Sequence, residues 1–262
     1  MKKIIAAALA ASMLASCGSA EDEVAQEPEY TAGQYMQAIN DIGRLDDQEN
    51  DERRKPAELL AFAQIDTGDV VGDYIMGGGY VTRLLAIATG ADGKVFAFQP
   101  EEFIAFRPEY ADEQDAAVAP YSDVDGNPVT VFPLRAPIAE PGFPEPLDTI
   151  ITINNLHDLF ISQIPEGTSD VAIAALYDAL KPGGSLIVID HHAAEGGGVE
   201  AADTLHRMDA ALAMDALTAA GFVLEEESDL YSRPDDARDL NVFDDAINGQ
   251  TDQFAWRLRK PE

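Results

Sequence analysis

Cysteine and basic residues are both scarce in this chain of 262 residues. Cys17 is the only cysteine, and 17 lysines and arginines stand against 48 aspartates and glutamates, which gives a net charge of −31. A single cysteine excludes an intrachain disulfide and a metal site built from several thiolates. The negative charge repels phosphate backbones, so we expect no nucleic-acid partner.

Long apolar runs are also missing, apart from one near the N-terminus. Lys2 and Lys3 precede the run Ile4–Leu14, which ends in Leu14-Ala15-Ser16-Cys17. Eleven residues are too few to span a bilayer, and a short run after a basic start is typical of an export signal. The sequence LASC resembles the lipobox of bacterial lipoproteins, in which the cysteine is lipidated and begins the mature protein. An ordinary signal peptide with a chance cysteine is the alternative.

The N-terminal pattern divides the chain into three parts. We predict a signal peptide over 1–16, with the mature chain anchored through Cys17 to a membrane facing the periplasm, and we expect the outer membrane. Residues 17–34 are polar and acidic, which is typical of a flexible tether. Residues 35–262 form one predicted domain, because strands and helices alternate from there without an internal linker.

The alternation predicts an α/β fold. A helical extension covers 35–65, and further helices are expected near 80–89, 173–180 and 203–220, the last capped by Asp203 or Thr204. Strands are predicted over 70–74, 94–98, 129–132, 147–153, 185–190, 222–228 and 253–259. Such a pattern is typical of an open, doubly wound sheet with helices on both faces, which binds ligands at the carboxyl ends of its strands.

The first predicted strand runs into a glycine turn, in the stretch GDYIMGGGYVTRLLA at 72–86. A strand, a glycine turn and a helix start commonly hold a nucleotide-like cofactor. Ile75, however, stands where such loops usually carry their first glycine. A β-branched residue cannot cheaply adopt a positive φ, so we expect the turn to be made within Gly77-Gly78-Gly79.

Several of these turns together resemble the class I S-adenosylmethionine-dependent methyltransferases, and more closely a branch of predicted exported bacterial methyltransferases. The resemblance covers roughly 53–261 and is carried by GGGYVTRLLA, GKVFAFQPEEF, LDTIITINNLHDL, LYDALKPGGSLIVIDHHA, LHRMDAALAMDALTAAGFVLEEESDLY and TDQFAWRLRKP. It implies a Rossmann-like, seven-stranded sheet whose last strand is antiparallel. It also implies S-adenosylmethionine as cofactor and, for this chain, a small-molecule methyl acceptor.

The resemblance also implies a set of cofactor contacts, namely Asp73, Gly77, Gly78, Gly79, Tyr80, Gln99, Asn154 and Asn155. Gln99 departs from the family, which commonly has an acidic residue there that binds both ribose hydroxyls. Hydrogen bonds to charged groups are worth more than neutral ones, so the change costs about 1 kcal/mol, or roughly tenfold or less in affinity. Glu101 or Glu102 could compensate in part.

All four histidines lie within 157–206, and three of them follow predicted strands. Because those two strands should be neighbours, we expect the turns that carry His157 and His191 to form one polar cluster. His157, Asp158 and His191 are the candidate catalytic residues, with His157 as a general base. The sequence assigns no metal ligand, but a site formed by His157, His191 and His206 remains an alternative. A third reading is that the histidines only cap strand ends.

Three functions therefore remain open at this point. The first is a methyltransferase, and the second is a binding module on the same fold that holds a small ligand without catalysis. The third is a metal-dependent site built from the histidine turns. The predicted export argues against the methyltransferase function, because S-adenosylmethionine is made in the cytoplasm.

The lipidation of Cys17 can be tested directly. Changing Cys17→Ala should release the protein from membranes or leave it unprocessed, because the lipid and the cleavage both depend on that thiol. Membrane fractionation and the intact mass of the mature chain measure this. An unchanged distribution and mass in the variant would refute lipidation at this position.

Overall fold

The computed structural model describes residues 29–122 and 128–262, so the predicted signal peptide and Cys17 lie outside the described residues. Within the described residues, no helix is long and apolar enough to cross a membrane. The strands are β1 (Val70–Tyr74), β2 (Lys94–Pro100), β3 (Val131–Ala136), β4 (Leu147–Ile153), β5 (Leu180–His191), β6 (Val223–Ser228) and β7 (Gln253–Arg259). The helices are α1 (Met36–Ile39), α2 (Asp51–Arg54), α3 (Pro56–Ala63), α4 (Tyr80–Thr89), α5 (Glu101–Phe106), α6 (Glu109–Val118), α7 (Thr168–Ala179), α8 (Gly198–Leu205) and α9 (Ala210–Ala219).

The seven strands form one sheet in the order β3-β2-β1-β4-β5-β7-β6. β1 to β5 pair in parallel, whereas β7 is antiparallel to both β5 and β6. This confirms the predicted doubly wound, seven-stranded architecture and its antiparallel last strand. The order reverses between β1 and β4, so the turns after these two strands diverge and leave a crevice between them.

A hydrophobic core covers each face of the sheet. One core joins the N-terminal helices, α4 and α6 to the sheet, and the other joins α7 and α9 to its opposite face. The central strands are buried on both faces, which explains the nearly continuous apolar run at 185–190. The predicted helical extension is present, and a 3-10 helix at Ala32–Tyr35 begins slightly inside the segment assigned to the tether. Tyr35 fixes it, because its hydroxyl donates to the Ile65 carbonyl.

The turn after β1 is made differently from the expectation. Ile75 has a φ of +65°, Gly77 and Gly79 also have positive φ, and Gly78 does not. The prediction that Ile75 would avoid this region was therefore wrong. A left-handed β-branched residue costs about 1–2 kcal/mol, but burial of the Ile75 side chain, which is 3% exposed, returns about 1.5–3 kcal/mol. Met76 N also donates to the Phe98 carbonyl, which anchors the turn on β2.

The prediction of a single helix over 203–220 is also wrong, because the chain forms α8 and α9 with a break between them. His206 adopts a φ of +52° and ends α8. Arg207 is fully buried and donates to the carbonyls of His192 and Leu240, and it pairs with Asp236. The helical pattern cannot reveal these long-range partners. Asp209, and not Asp203 or Thr204, caps α9.

Candidate functional site

A cavity of about 830 Å³ lies at the carboxyl ends of the central strands. Tyr80 at the start of α4, Phe103 of α5, Arg54 of α2 and the turns after β4 and β5 all contribute to its wall. This is where doubly wound sheets bind ligands, and the volume falls in the usual range of about 300–1,000 Å³ for a small-molecule pocket. The site therefore lies at the edge that the strand pattern predicted.

Some residues suggested by the sequence line this cavity and others do not. Those that line it are Tyr80, Asn154, Asn155, His157, Asp158 and His191. Those outside its lining are Asp73, Gly77, Gly78, Gly79 and Gln99. The structure thus brings together the residues after β4 and β5 and separates them from most of the glycine-loop set.

The turn after β4 enters the cavity through two asparagines. Asn154 has a φ of +58°, a conformation that asparagine tolerates better than most residues. Gln253 Nε2 donates to Asn154 Oδ1 at 3.1 Å. Asn155 Nδ2 donates to the carbonyls of Ile153 at 2.7 Å and Ile75 at 3.0 Å. The Asn155 side chain therefore ties the turn after β4 to the strained turn after β1.

Asp190, near the end of β5, organises the histidine turns. It is fully buried, and its carboxylate accepts from His157 N at 2.8 Å and from His191 N at 2.7 Å. It also accepts from His157 Nδ1 at 2.8 Å. A carboxylate in such a place is tolerated only with charged or hydrogen-bonding partners. The His157 ring is thereby fixed, and its Nε2 lies 3.6 Å from Asp158 Oδ1.

The charged groups in this cluster strongly shift one another's pKa values. Burial alone would lower the pKa of His157, but the charge and hydrogen bond of Asp190, with help from Asp158, raise that pKa to about 9. Burial would raise the pKa of Asp190, but His157 keeps it below its ordinary value. Burial raises the pKa of Asp158 to about 6. The directions of both shifts favour an imidazolium–carboxylate pair. A protonated His157 cannot accept a proton, so these shifts contradict the expectation that His157 acts as a general base.

His191 has a different character. Its Nδ1 lies 2.7 Å from Thr251 Oγ1 and 3.2 Å from Gln253 Nε2. Gln253 Nε2 can only donate, so Nδ1 acts as the acceptor and the proton belongs on Nε2 of His191. Burial, reinforced by the charges of His157 and Arg207, lowers the pKa of His191 to about 4. His191 is consequently a neutral, weak base that positions Gln253.

Three of the four histidine rings form one cluster. The ring centroids of His157 and His191 are 6.3 Å apart, and those of His157 and His206 are 5.5 Å apart and nearly perpendicular. This confirms the expectation that the two turns meet. Potential metal-ligand atoms, however, group on His157, Asp158 and His206 and not on the trio that included His191. His192 faces away, toward Asp252 and Phe254.

The three loop glycines have different surroundings. A Cβ on Gly79 would overlap the Ala117 side chain, so Gly79 permits the close approach of α6. A Cβ on Gly77 or Gly78 would meet no atom within 4 Å. Space beside Gly77 and Gly78 is therefore open, as a ligand that approaches the backbone requires.

Asp73 and Gln99 turn away from the cavity. Asp73 accepts from Thr82 Oγ1 at 2.5 Å, which fastens β1 to α4, and burial raises its pKa to about 6. Gln99 is completely buried, and neither its Oε1 nor its Nε2 has a hydrogen-bond partner among the described residues. Glu102 lines the cavity instead, with Oε2 accepting from Ile138 N at 2.9 Å. Glu101 and Glu102 were the two residues expected to compensate for Gln99, and of these Glu102 lines the cavity.

Arg54 is a site residue that the sequence analysis missed. Its guanidinium lies 4.6 Å from the centroid of the Tyr80 ring, and its buried Nε has no hydrogen-bond partner. Within the described ranges, no carboxylate forms a salt bridge with it, although acidic residues greatly outnumber basic ones. Tyr80 is held in turn by Asp51, which accepts from its hydroxyl at 2.6 Å. The signal available was the basic run Arg53-Arg54-Lys55 in a very acidic chain.

Solved structures resemble this chain throughout its fold. A SAM-dependent methyltransferase from Aquifex aeolicus is 19% identical with a TM-score of 0.53, and the match covers 87% of this chain and 98% of that one. The N-methyltransferase NodS from Bradyrhizobium japonicum WM9, in complex with S-adenosyl-L-homocysteine, is 14% identical with a TM-score of 0.55 over 89% and 100% of the chains. The [4+2]-cyclase SpnF is 17% identical with a TM-score of 0.56 over 88% and 93%.

No family model matches the sequence, and no curated protein does. The resemblance to solved structures at these low identities establishes the methyltransferase-type fold. The reaction has to be inferred from the site itself.

Asp190 should be essential to the stability of this site. Asp190→Asn leaves the buried His157 imidazolium without its counter-ion, and breaking such a pair costs about 3–5 kcal/mol. Urea unfolding of the full chain measures the free energy of unfolding.

The matched control is Glu145→Gln, which removes the half-exposed salt bridge between Glu145 and Lys94. Exposed pairs contribute about 0–1 kcal/mol, so this variant should change little. Equal losses in the two variants would contradict the role given to Asp190.

Proposed function

We propose that this protein is an S-adenosylmethionine-dependent methyltransferase that acts on a small-molecule acceptor. The observation that carries the proposal is the unpaired Arg54 guanidinium in a cavity at the β1–β4 crevice. Tyr80, the residue after the open glycine turn, also lines this cavity. An arginine without a partner in a cavity indicates a carboxylate or phosphate ligand. The cofactor carries a carboxylate on its methionine moiety.

The residues present fit such a cofactor in several respects. Arg54 is the residue that we expect to pair with the carboxylate, and Gly77 and Gly78 leave the backbone accessible. Asn155 is held in place at the cavity wall. Glu102 supplies the acidic group that the family usually has near the end of the second strand. Phe103 offers an aromatic surface for the adenine ring.

Other residues depart from the family and support a weaker site. Gln99 is buried and does not reach the cavity, so it supplies no ribose contact from its present position. This observation favours a second candidate, a binding module on the same fold that holds an adenosyl compound without methyl transfer. The cyclase SpnF illustrates that proteins of this fold carry out other chemistry.

In the methyltransferase reading, the cofactor supplies an electrophilic methyl group on its sulfonium. The protein positions the acceptor and excludes water from the cavity. His157, Asp158 and His191 stay the catalytic candidates, because all three lie in the cavity wall after β4 and β5. His157 and Asp158 are the two that we expect to contact the acceptor, since His191 is engaged by Thr251 and Gln253.

We also propose export and anchoring through Cys17, which rests on residues 1–17 of the sequence alone. The cavity lies in the domain that follows the tether. Its acceptor would then be a compound of the cell envelope, and its cofactor would have to reach that compartment.

Cofactor binding can be tested by thermal melting of the full chain with S-adenosylmethionine or S-adenosylhomocysteine. A ligand at about 100 times its dissociation constant stabilises the fold by about 2.7 kcal/mol. For a domain of this size the melting temperature should rise by about 5–11 °C. Gly77→Val should abolish the shift, because its side chain fills the open space beside the turn.

Gly68→Val is the matched control, since Gly68 also has a positive φ and no atom within 4 Å of its Cβ position, but it precedes β1 and so lies at the opposite end of that strand from the glycine turn. It should melt lower and still respond to the cofactor. No shift in the unmodified chain at millimolar ligand would refute cofactor binding. A shift without turnover of labelled methyl groups, across a panel of acceptors, would favour the binding module.

The role of Arg54 gives a sharper test. Arg54→Gln should weaken binding of S-adenosylhomocysteine by about 10- to 150-fold, the loss of one charge-assisted hydrogen bond of about 1.5–3 kcal/mol. Binding of methylthioadenosine, which lacks the amino-acid moiety, should stay nearly unchanged. Titration calorimetry measures both.

Arg53→Gln removes the same charge from the same cavity, but the Arg53 guanidinium already donates to Asn50. Arg53→Gln should weaken the binding of S-adenosylhomocysteine much less than Arg54→Gln does. If Arg54→Gln lowers the affinity for both ligands equally, Arg54 does not recognise the carboxylate.

A further inference from the structure

Three potential metal ligands meet at one wall of the cavity. His157 and Asp158 come from the 3-10 helix after β4, and His206 comes from the break between α8 and α9. One ligand atom from each lies within 4.8 Å of the others. We propose that His157, Asp158 and His206 bind a divalent transition-metal ion such as Zn²⁺. This inference does not depend on the proposed cofactor.

The donor set has the chemistry of a catalytic metal centre. Two imidazoles and one carboxylate leave coordination positions open, as catalytic zinc sites and non-haem iron sites do. Bonds of about 2.0–2.2 Å place tetrahedral ligand atoms about 3.3–3.6 Å apart, so the widest separation in the group must close by up to about 1.5 Å. The Asp158 side chain is mostly buried and His206 is partly buried, and within the described ranges neither side chain makes a hydrogen bond. No hydrogen bond therefore has to break when either side chain moves toward a metal ion.

Asp190 prepares His157 for this role. It occupies Nδ1 of the ring and leaves Nε2 facing Asp158. Metal-binding histidines usually donate their other ring N–H to a carboxylate or a carbonyl, which fixes the tautomer and the ring orientation. The Asp190 carboxylate, which joins the two turns, thus also orients the His157 ring toward the metal site.

The backbone of His206 indicates that its position is specified by the fold. A non-glycine residue in the left-handed region costs about 1–2 kcal/mol. The buried side chain of Arg207, fixed to Asp236 and two carbonyls, holds the chain in this conformation. As a result, the His206 ring stands perpendicular to that of His157 and packs on Phe243. Strain of this kind at a cavity wall is typical of functional sites.

A metal ion held here would face the cavity beside the asparagine turn. Its open positions would accept an oxygen or nitrogen atom of a small molecule and lower the pKa of a bound hydroxyl. The structure thus assigns to this wall the recognition of a ligand that carries such a donor atom.

The test uses the full chain with Cys17→Ser, which removes the lone thiol as a competing ligand. The protein is stripped with EDTA, dialysed and titrated calorimetrically with Zn²⁺, and in parallel with Co²⁺ while visible absorption is recorded. One ion per chain should bind, and Co²⁺ should give ligand-field bands of a low-coordinate site. His206→Asn and Asp158→Asn should each weaken binding by more than about 100-fold, the upper range for loss of a partner that only orients a ligand.

His192→Asn is the matched control, because His192 follows the same strand but faces Asp252, and it should bind normally. Asparagine at 206 tolerates the left-handed backbone, and thermal melting without metal checks that each variant folds. If one variant does not fold, the other decides the outcome. Absence of saturable binding in the parent chain, or equal binding in His206→Asn and His192→Asn, would overturn the proposal.

Discussion

The carboxylate of Asp190 is the interaction on which the site depends. It lies buried near the end of β5, where an unpaired charge would be very unfavourable. The fold satisfies it with the backbone N–H groups of His157 and His191 and with the His157 ring. The two bonds from His157 join the turn after β4 to β5, whereas the bond from His191 is local to the end of β5. Because the buried Asp190 carboxylate has to be paired, it sets the position of the polar wall of the cavity.

Backbone strain is concentrated around the same cavity. Asn154 and His206 line it with positive φ, and Ile75, also left-handed, is hydrogen bonded to Asn155. Each conformation is disfavoured by about 1–2 kcal/mol for most residues and is offset by local burial or hydrogen bonds. Packing and hydrogen bonds therefore hold the backbone of these turns in place. Such a wall can bind a ligand without reordering its backbone, so that only side chains have to adjust.

The charge of the cavity differs from that of the chain as a whole. The chain carries −31, yet Arg53, Arg54 and Arg233 all line the cavity and make no salt bridge within the described ranges. In a strongly acidic protein, such an arrangement gives a local site for an anionic group. The histidine and aspartate cluster lies on another part of the same wall. One cavity thus offers an arginine for an anion and imidazole and carboxylate donors for a cation.

The sequence by itself determined the doubly wound sheet and the location of the site, and its resemblance to the methyltransferases added the antiparallel last strand. Apolar periodicity and glycine turns are local signals, and they placed β1, β4 and β5 and brought His157 and His191 together. Boundaries were less accurate, since β3 runs over Val131–Ala136 and not over 129–132. The tertiary structure alone decided the left-handed Ile75, the helix break at His206, the burial of Gln99 and the unpaired Arg54. The first two depend on partners far along the chain, Asn155 for Ile75 and Asp236 for the segment beside His206. The last two depend on how the folded chain surrounds Gln99 and Arg54. Long-range pairing of buried polar groups leaves no periodic trace in a sequence, and for that reason only the folded chain reveals it.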